Sequence, residues 1–261
     1  MDRRFLILDI ETVLDRDLVS KVFAVNASAP LPELQEAVRT KYTSGFLPPP
    51  FHRPVCIAML DVDCETCKVI NAAVAENPDE KTLLQQFWKI VRFRKGNIPV
   101  KSTLVHFNGR GFDLPVLFYR SMKHRIPIVM QEDRSRYSFE ESHDICDDLS
   151  GFGASSRPSL NLIAKLLGLP GKTDIDGSLV EELHEQGERI RIKDYCMDDA
   201  LSTYYIWLTM RFIRGQLSEE KYREAYEAAG ETVRSCRQVT DNFFSPRSSD
   251  SSDLPPANQD N

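Results

Sequence analysis

The stretch that most constrains this chain is Phe5-Leu6-Ile7-Leu8-Asp9-Ile10-Glu11-Thr12. Four consecutive apolar residues in so short a run read as a strand buried on both faces, of the kind found at the centre of a mixed sheet. Carboxylates do not belong there by default. Side chains two apart on a strand point to the same side, so Asp9 and Glu11 project together into one small volume at the strand's end. Two carboxylates that close repel unless a positive charge, most often a metal ion, compensates them. On this stretch alone the alternative is a strand that ends there with two exposed acids, and the rest of the chain decides between them.

With 261 residues, 41% of them apolar and 28% charged, the chain can bury a sizeable core as one large domain or two small ones. The first apolar run is interrupted by Asp9 and Glu11, and no apolar stretch approaches membrane-spanning length, so a cytoplasmic protein without membrane association is expected. Cysteines 56, 64, 67, 146, 196 and 236 are scattered through core-like segments, which suits reduced thiols better than a disulfide frame. Cys64 and Cys67 form a CxxC with no second pair at zinc spacing. A formal net charge of −6 argues against coating nucleic acid through a broad basic face. It is compatible with an acidic site neutralised by divalent ions, with local basic clusters guiding a strand. Three such clusters stand out: Lys89, Arg92, Arg94 and Lys95; Arg120, Lys123, His124 and Arg125; and Arg189, Arg191 and Lys193. Each reads first as a solvated face.

After the opening strand, residues 15–50 read as an irregular insertion rich in proline, with a possible helix over 31–42. Val55–Val62 and Lys68–Ala75 read as a hairpin, which puts an antiparallel edge beside the first strand. Asn77-Pro78-Asp79-Glu80 predicts a helix start with Asn77 as cap, leading into Leu83, Leu84, Phe87, Ile90 and Val91. Residues 102–107 form a strand running into Asn108-Gly109-Arg110-Gly111-Phe112-Asp113, and a helix follows over 114–123. Residues 131–140 read as loop and 143–146 as a short strand, while Ser159 caps a helix that stops at Gly168. Helices are expected over 178–187, 193–214 and 218–240, and the polar residues 245–261 as a disordered tail.

Asp113 falls where a strand ends and a helix begins, the position at which α/β sheets place ligand-binding residues. On the long helix Tyr195 and Asp199 are four apart and share one face. Asp9-Ile10-Glu11, then Asn108 and Phe112-Asp113 separated by three residues, then Tyr195 and Asp199 separated by three, occur in that order. Together they resemble the three motifs of the DEDD 3′-5′ exonucleases in the tyrosine (DEDDy) version. The histidine version needs His five residues before the last acid, and that position here is Asp194. The wider run, including the Gly171-Lys172 loop and the Asp176-Gly177-Ser178 helix start, is similar to the predicted stand-alone exonucleases related to the proofreading domain of family B DNA polymerases. Any one motif arises by chance; three in order, on a strand, a strand–helix junction and a helix, form a joint signal.

The resemblance implies an RNase H-like α/β domain over residues 1–244, with a mixed central sheet, an antiparallel hairpin and helices on both faces. It further implies a metal-dependent 3′-5′ exonuclease acting on the 3′ end of single-stranded or frayed DNA or RNA. Such cleavage needs an activated water and neutralisation of the leaving 3′ oxygen, which two divalent ions about 4 Å apart supply. Hard magnesium or manganese ions select the oxygen ligands that carboxylates provide. By the same resemblance Asp9 bridges both ions, Glu11 and Asp199 complete the ion that activates water, Asp113 supports the second, and Tyr195 orients the water. Asn108, Phe112 and Lys172 are the substrate-contact expectations, each set against an ordinary role: an Asn-Gly turn, a core aromatic and a solvated lysine. Two rivals stand beside this reading: a noncatalytic nucleic-acid-binding module of the same fold, and a metal phosphodiesterase acting on small nucleotides. The intact set of five chemical positions disfavours the first.

Overall fold

A computed structural model describes residues 3–42, 47–92, 94–95, 98–99, 101–128, 139, 141–169 and 177–237. Its strands are β1 (Arg3–Leu14), β2 (His52–Asp63), β3 (Val69–Glu76), the two-residue pair β4 (Arg94–Lys95) and β5 (Ile98–Pro99), β6 (Lys101–His106) and β7 (Ser142–Asp144). Its helices are α1 (Arg16–Phe23), α2 (Leu31–Arg39), α3 (Glu80–Val91), α4 (Asp113–His124), α5 (Ile145–Leu149), α6 (Leu160–Leu166), α7 (Val180–Glu185), α8 (Arg189–Ile213) and α9 (Glu219–Arg237).

Five strands make one sheet in the order β3-β2-β1-β6-β7, with β1 in the middle. β1 pairs antiparallel with β2 and parallel with β6, and β6 pairs parallel with β7. This is the mixed sheet that the uninterrupted apolar run of β1 predicts, with the hairpin expected from 55–62 and 68–75 on one side, an α/β arrangement of RNase H-like type. Leu6 and Ile7 are fully buried although they point to opposite faces. Leu6, Leu8 and Ile10 pack with Phe87 and Trp88 of α3 and Val116 and Leu117 of α4. Ile7 and Val13 pack with Tyr195, Cys196 and Trp207 of α8 and Ala225 of α9. Because β1 and β6 run parallel, the end of β1 and the β6–α4 junction meet at one edge of the sheet, the edge where such folds hold ligands.

Several boundaries differ from expectation for local reasons. α3 is capped by Asp79, whose carboxylate accepts the Thr82 N–H at 3.0 Å, so Asn77 and Pro78 precede the helix. Residues 15–50, expected as an irregular insertion with a helix over 31–42, carry that helix as α2 and a further one, α1. These close a separate small core of Leu14, Val19, Leu34, Val38 and Phe51. Asp15 caps α1 by accepting the Leu18 N–H at 3.0 Å, and Pro32 occupies the first turn of α2, where proline is tolerated. Arg120 does not belong to a solvated face: it is 2% exposed and its guanidinium grips Glu80 and Asp15, with His124 adding a 2.9 Å contact to Glu80. α8 begins four residues earlier than the expected 193, and the C-terminal residues 245–261 and most of 131–140 lie outside the described residues. No helix among the described residues is long and apolar enough to cross a membrane.

Candidate functional site

β1 aims Asp9 and Glu11 toward α8, on the same side as Ile7 and Val13. Their strand neighbours are Ala58 and Cys56 on β2, two small residues that leave room above the sheet. α8 answers with Tyr195, Cys196 and Asp199. The Cys196 thiol donates to the Asp9 carbonyl at 3.5 Å, which registers the helix against the strand. One carboxylate oxygen each from Asp9, Glu11 and Asp199 lie within 4.8 Å of one another, the one such cluster among the described residues. Glu11 is 9% exposed and Asp199 6%. Asp9 as a residue is half-buried, but its Oδ2 is sealed from water and has no hydrogen-bond partner among the described residues.

Burial, then the charges of Asp199, Glu11 and Asp113, push the Asp9 carboxyl well above the ordinary carboxylate range. Three acids whose oxygens lie within 4.8 Å of one another, with the Asp9 Oδ2 unpartnered among the described residues, fit a hard divalent cation, whose charge would offset those repulsions. Tyr195, 4% exposed, donates its hydroxyl to Asp199. Burial and the carboxylates of Asp199, Glu11 and Asp9 drive its phenol far above its usual range, so it is protonated at neutral pH.

Asp113 enters from the other side of β1, at the first position of α4. Its carboxylate accepts the Ile10 N–H, yet burial first and then the Asp144 and Asp199 charges push it up to about 7. It lies outside the three-acid cluster, close enough that its charge acts on Asp9. The turn that presents it is tightly specified. Asn108 has φ of 60°, a left-handed conformation that asparagine tolerates. Gly109 has no substitute, because a Cβ there would sit 2.6 Å from the His106 ring.

That turn hangs on a residue not singled out in the sequence. Asp144, at the end of β7, accepts the N–H groups of Asn108 at 2.9 Å, Arg110 at 2.9 Å and Cys146 at 3.0 Å, so one buried carboxylate holds the turn and caps α5. The fully buried His106 lies 3.6 Å away; burial lowers its pKa to about 4 and keeps it neutral, with Nε2 2.8 Å from the Ser142 hydroxyl. The sequence signal was an aspartate closing a short strand directly before Ile145 and Cys146, an N-cap pattern.

The expected substrate contacts fare differently. The Asn108 amide oxygen accepts from Arg157 at 2.8 Å, at an exposed position beside the site. Phe112 is half-buried, edge-on to His52 at 4.8 Å and packed on the α3–α4 core. Lys172 lies outside the described residues. The Cys64–Cys67 turn is structural: Cys67 is buried and its carbonyl accepts the Tyr204 hydroxyl at 2.8 Å.

The sequence profile of a family described as predicted 3′-5′ exonucleases related to the exonuclease domain of PolB matches residues 44–245. The matched span takes in Asp113, Tyr195 and Asp199 and begins after β1, so Asp9 and Glu11 are joined to it by the sheet. No curated protein matches the chain.

Proposed function

This chain belongs to the family of predicted 3′-5′ exonucleases related to the exonuclease domain of PolB, and from that premise we propose that it removes nucleotides from the 3′ end of a single-stranded or frayed DNA or RNA with two divalent ions, magnesium or manganese. The observation that carries the reading is the convergence of Asp9, Glu11 and Asp199 within 4.8 Å, with Asp113 alongside. When bound, such ions would supply an activated water and neutralise charge on the leaving oxygen. Asp9, Glu11 and Asp199 would hold them, and Asp113, fixed by the Ile10 N–H, would complete the set from the α4 side. Tyr195, protonated at neutral pH, is a hydrogen-bond donor that orients the water and is no base.

The decisive experiment incubates 3′-labelled and 5′-labelled oligonucleotides, of DNA and of RNA, with manganese and with EDTA. Release of single nucleotides from the 3′ end in manganese alone is expected. No release, or release that survives in an Asp9→Ala Asp113→Ala variant, overturns the assignment; cleavage of small nucleotides only would make the chain a phosphodiesterase. Tyr195→Phe is expected to lower kcat by about 10- to 100-fold, the size of effect seen when a supporting hydrogen bond is lost. Its manganese midpoint in a thermal titration should stay where the wild type has it, and a lost midpoint would refute the orienting role.

Stability should follow pH in a way set by Asp113. Its folded pKa, about 7, lies above its unfolded value of about 4, so between those pH values only the unfolded state releases the proton. Metal-free melting temperature therefore falls as pH rises from about 4 to about 7. Asp15 does not interfere: burial opposes it, but the Arg120 and Leu18 hydrogen bonds lower it to about 2, and its contribution is lost only below that window. Manganese must displace those protons, so the rise in melting temperature it causes should be larger at pH 8 than at pH 5. Equal shifts at both pH values would count against carboxylate ligation.

A further inference from the structure

A second cavity, of about 200 Å³, opens where the edge formed by β2 and the end of β3 meets α7 and the first turns of α8. Its charged lining is Arg53, Arg189, Lys193 and Glu76, with the His184 ring among them. Cys56, also in its wall, is the strand partner of Glu11, and Ile192 stands one turn before Cys196, so cavity and acid cluster share a wall. The balance of charge is opposite to that of the acid cluster. Glu76 is taken by Lys193 at 3.5 Å, while Glu181 and Glu185 turn to Arg16.

Arg53 and Arg189 form no ion pair with any described residue; the Arg53 guanidinium lies 3.4 Å from the His184 ring, and its charge is felt by Glu181, which is itself held by the Leu14 N–H and Arg16. Burial first, then the charges of Arg53 and Arg189, hold the His184 pKa below its ordinary value against the pull of Glu185, so the imidazole adds no charge to the wall. α8 adds to the same sign. After the acidic N-cap residue Glu188, whose side chain makes no cap hydrogen bond, it opens with Arg189, Arg191 and Lys193 and has no acid in its first turn. Positive side chains at the positive end of a helix dipole are unfavourable, and a bound anion relieves both. The chain as a whole carries a net charge of −6, so this wall is locally opposite in sign.

We propose that this cavity binds a backbone phosphate of the nucleic-acid strand whose 3′ terminus lies at the acid cluster, with Arg53 and Arg189 as its ligands. The assignment rests on the exonuclease reading for the identity of the strand. A continuous wall to Glu11 favours a strand phosphate over a free anion, and the cavity's size admits a phosphate with part of its sugar and excludes a duplex.

The test is the Arg53→Gln Arg189→Gln variant, with Arg189→Gln alone as the milder form because Arg189 is exposed. Binding of a fluorescein-labelled single-stranded oligonucleotide in EDTA is followed by anisotropy over a range of sodium chloride. Affinity should fall roughly tenfold, the loss of a charge-assisted contact, and the slope of log affinity against log salt should flatten by about 0.7 for one phosphate lost. With manganese, KM for the oligonucleotide should rise while turnover of the nitrophenyl ester of thymidine monophosphate, which has a single phosphate, stays at the wild-type level. Unchanged oligonucleotide affinity and slope overturn the proposal. So does a variant that loses only the stabilisation given by inorganic phosphate, which would make the cavity a small-anion site. Oligonucleotide binding that depends on the two arginines, in a protein that cleaves neither substrate, would remove the exonuclease reading and keep the phosphate site.

Discussion

Asp9→Asn is expected to lower 3′-5′ exonuclease activity by more than about 100-fold, beyond the upper end for residues that merely support a metal ligand, and to raise the melting temperature of the metal-free protein. Both follow from one environment. The Asp9 carboxylate is crowded by Asp199, Glu11 and Asp113, and its Oδ2 is buried without a hydrogen-bond partner among the described residues. A neutral amide of the same shape removes those repulsions and can donate to the neighbouring acids, so the metal-free fold is relieved. For a chain of this size each kcal/mol relieved moves the midpoint by about 2–4 °C. In saturating manganese the order should reverse, since the wild type gains binding energy that the variant has largely lost. Thermal melts of both proteins with EDTA and with manganese, beside label release from an oligonucleotide, read the two effects separately. A variant that melts lower than wild type in EDTA would mean that the carboxylate is compensated by the protein itself, and retained activity would remove Asp9 from the chemistry.

What could be read in the sequence was what short-range pattern encodes. The uninterrupted Phe5–Leu8 run fixed β1 as a central strand, and the period of two put Asp9 and Glu11 on one face, where the structure has them. The spacing of four did the same for Tyr195 and Asp199, now joined by a hydrogen bond. What stayed hidden depends on partners far along the chain. Arg120 looked like part of a basic face because its neighbours Lys123, His124 and Arg125 are polar; its burial is decided by Asp15 and Glu80. α1 was hidden in the stretch expected to be irregular, although Asp15 caps it, whereas α2 falls within the helix expected over 31–42. The start of α8 was missed because Arg189–Lys193 sends only Ile192 into the core, Ile190 facing solvent and the other three residues being cationic. The same lack of burial is what leaves those cations on the wall of a cavity.

Asp144→Ala is expected to destabilise the protein by about 3–5 kcal/mol and to lower kcat/KM by about 100-fold without removing a metal ligand. The carboxylate is 1% exposed and holds two structures at once. Toward the site it accepts the Asn108 and Arg110 N–H groups, each at 2.9 Å; toward its own helix it accepts Cys146 at 3.0 Å and Asp147 at 3.3 Å. Alanine strands four backbone donors, and each donor left unpaired away from water costs about 1–3 kcal/mol. The left-handed Asn108 and the tight Gly109–His106 approach are held in place by those bonds, and both precede the residue that begins α4, Asp113. A slack turn therefore displaces Asp113 from the Ile10 N–H, which is where activity is lost. Asp144→Asn separates this account from a simple loss of packing. Its single amide oxygen can keep the Oδ1 set of Asn108, Cys146 and Asp147 while giving up the Arg110 bond on Oδ2, so stability and activity should both fall between wild type and Asp144→Ala. Chemical denaturation and single-turnover cleavage of one labelled oligonucleotide measure the two orders. If the asparagine variant is as damaged as the alanine one, the turn is held by charge alone; if the alanine variant keeps wild-type turnover at a temperature where it is folded, Asp144 has no part in placing Asp113.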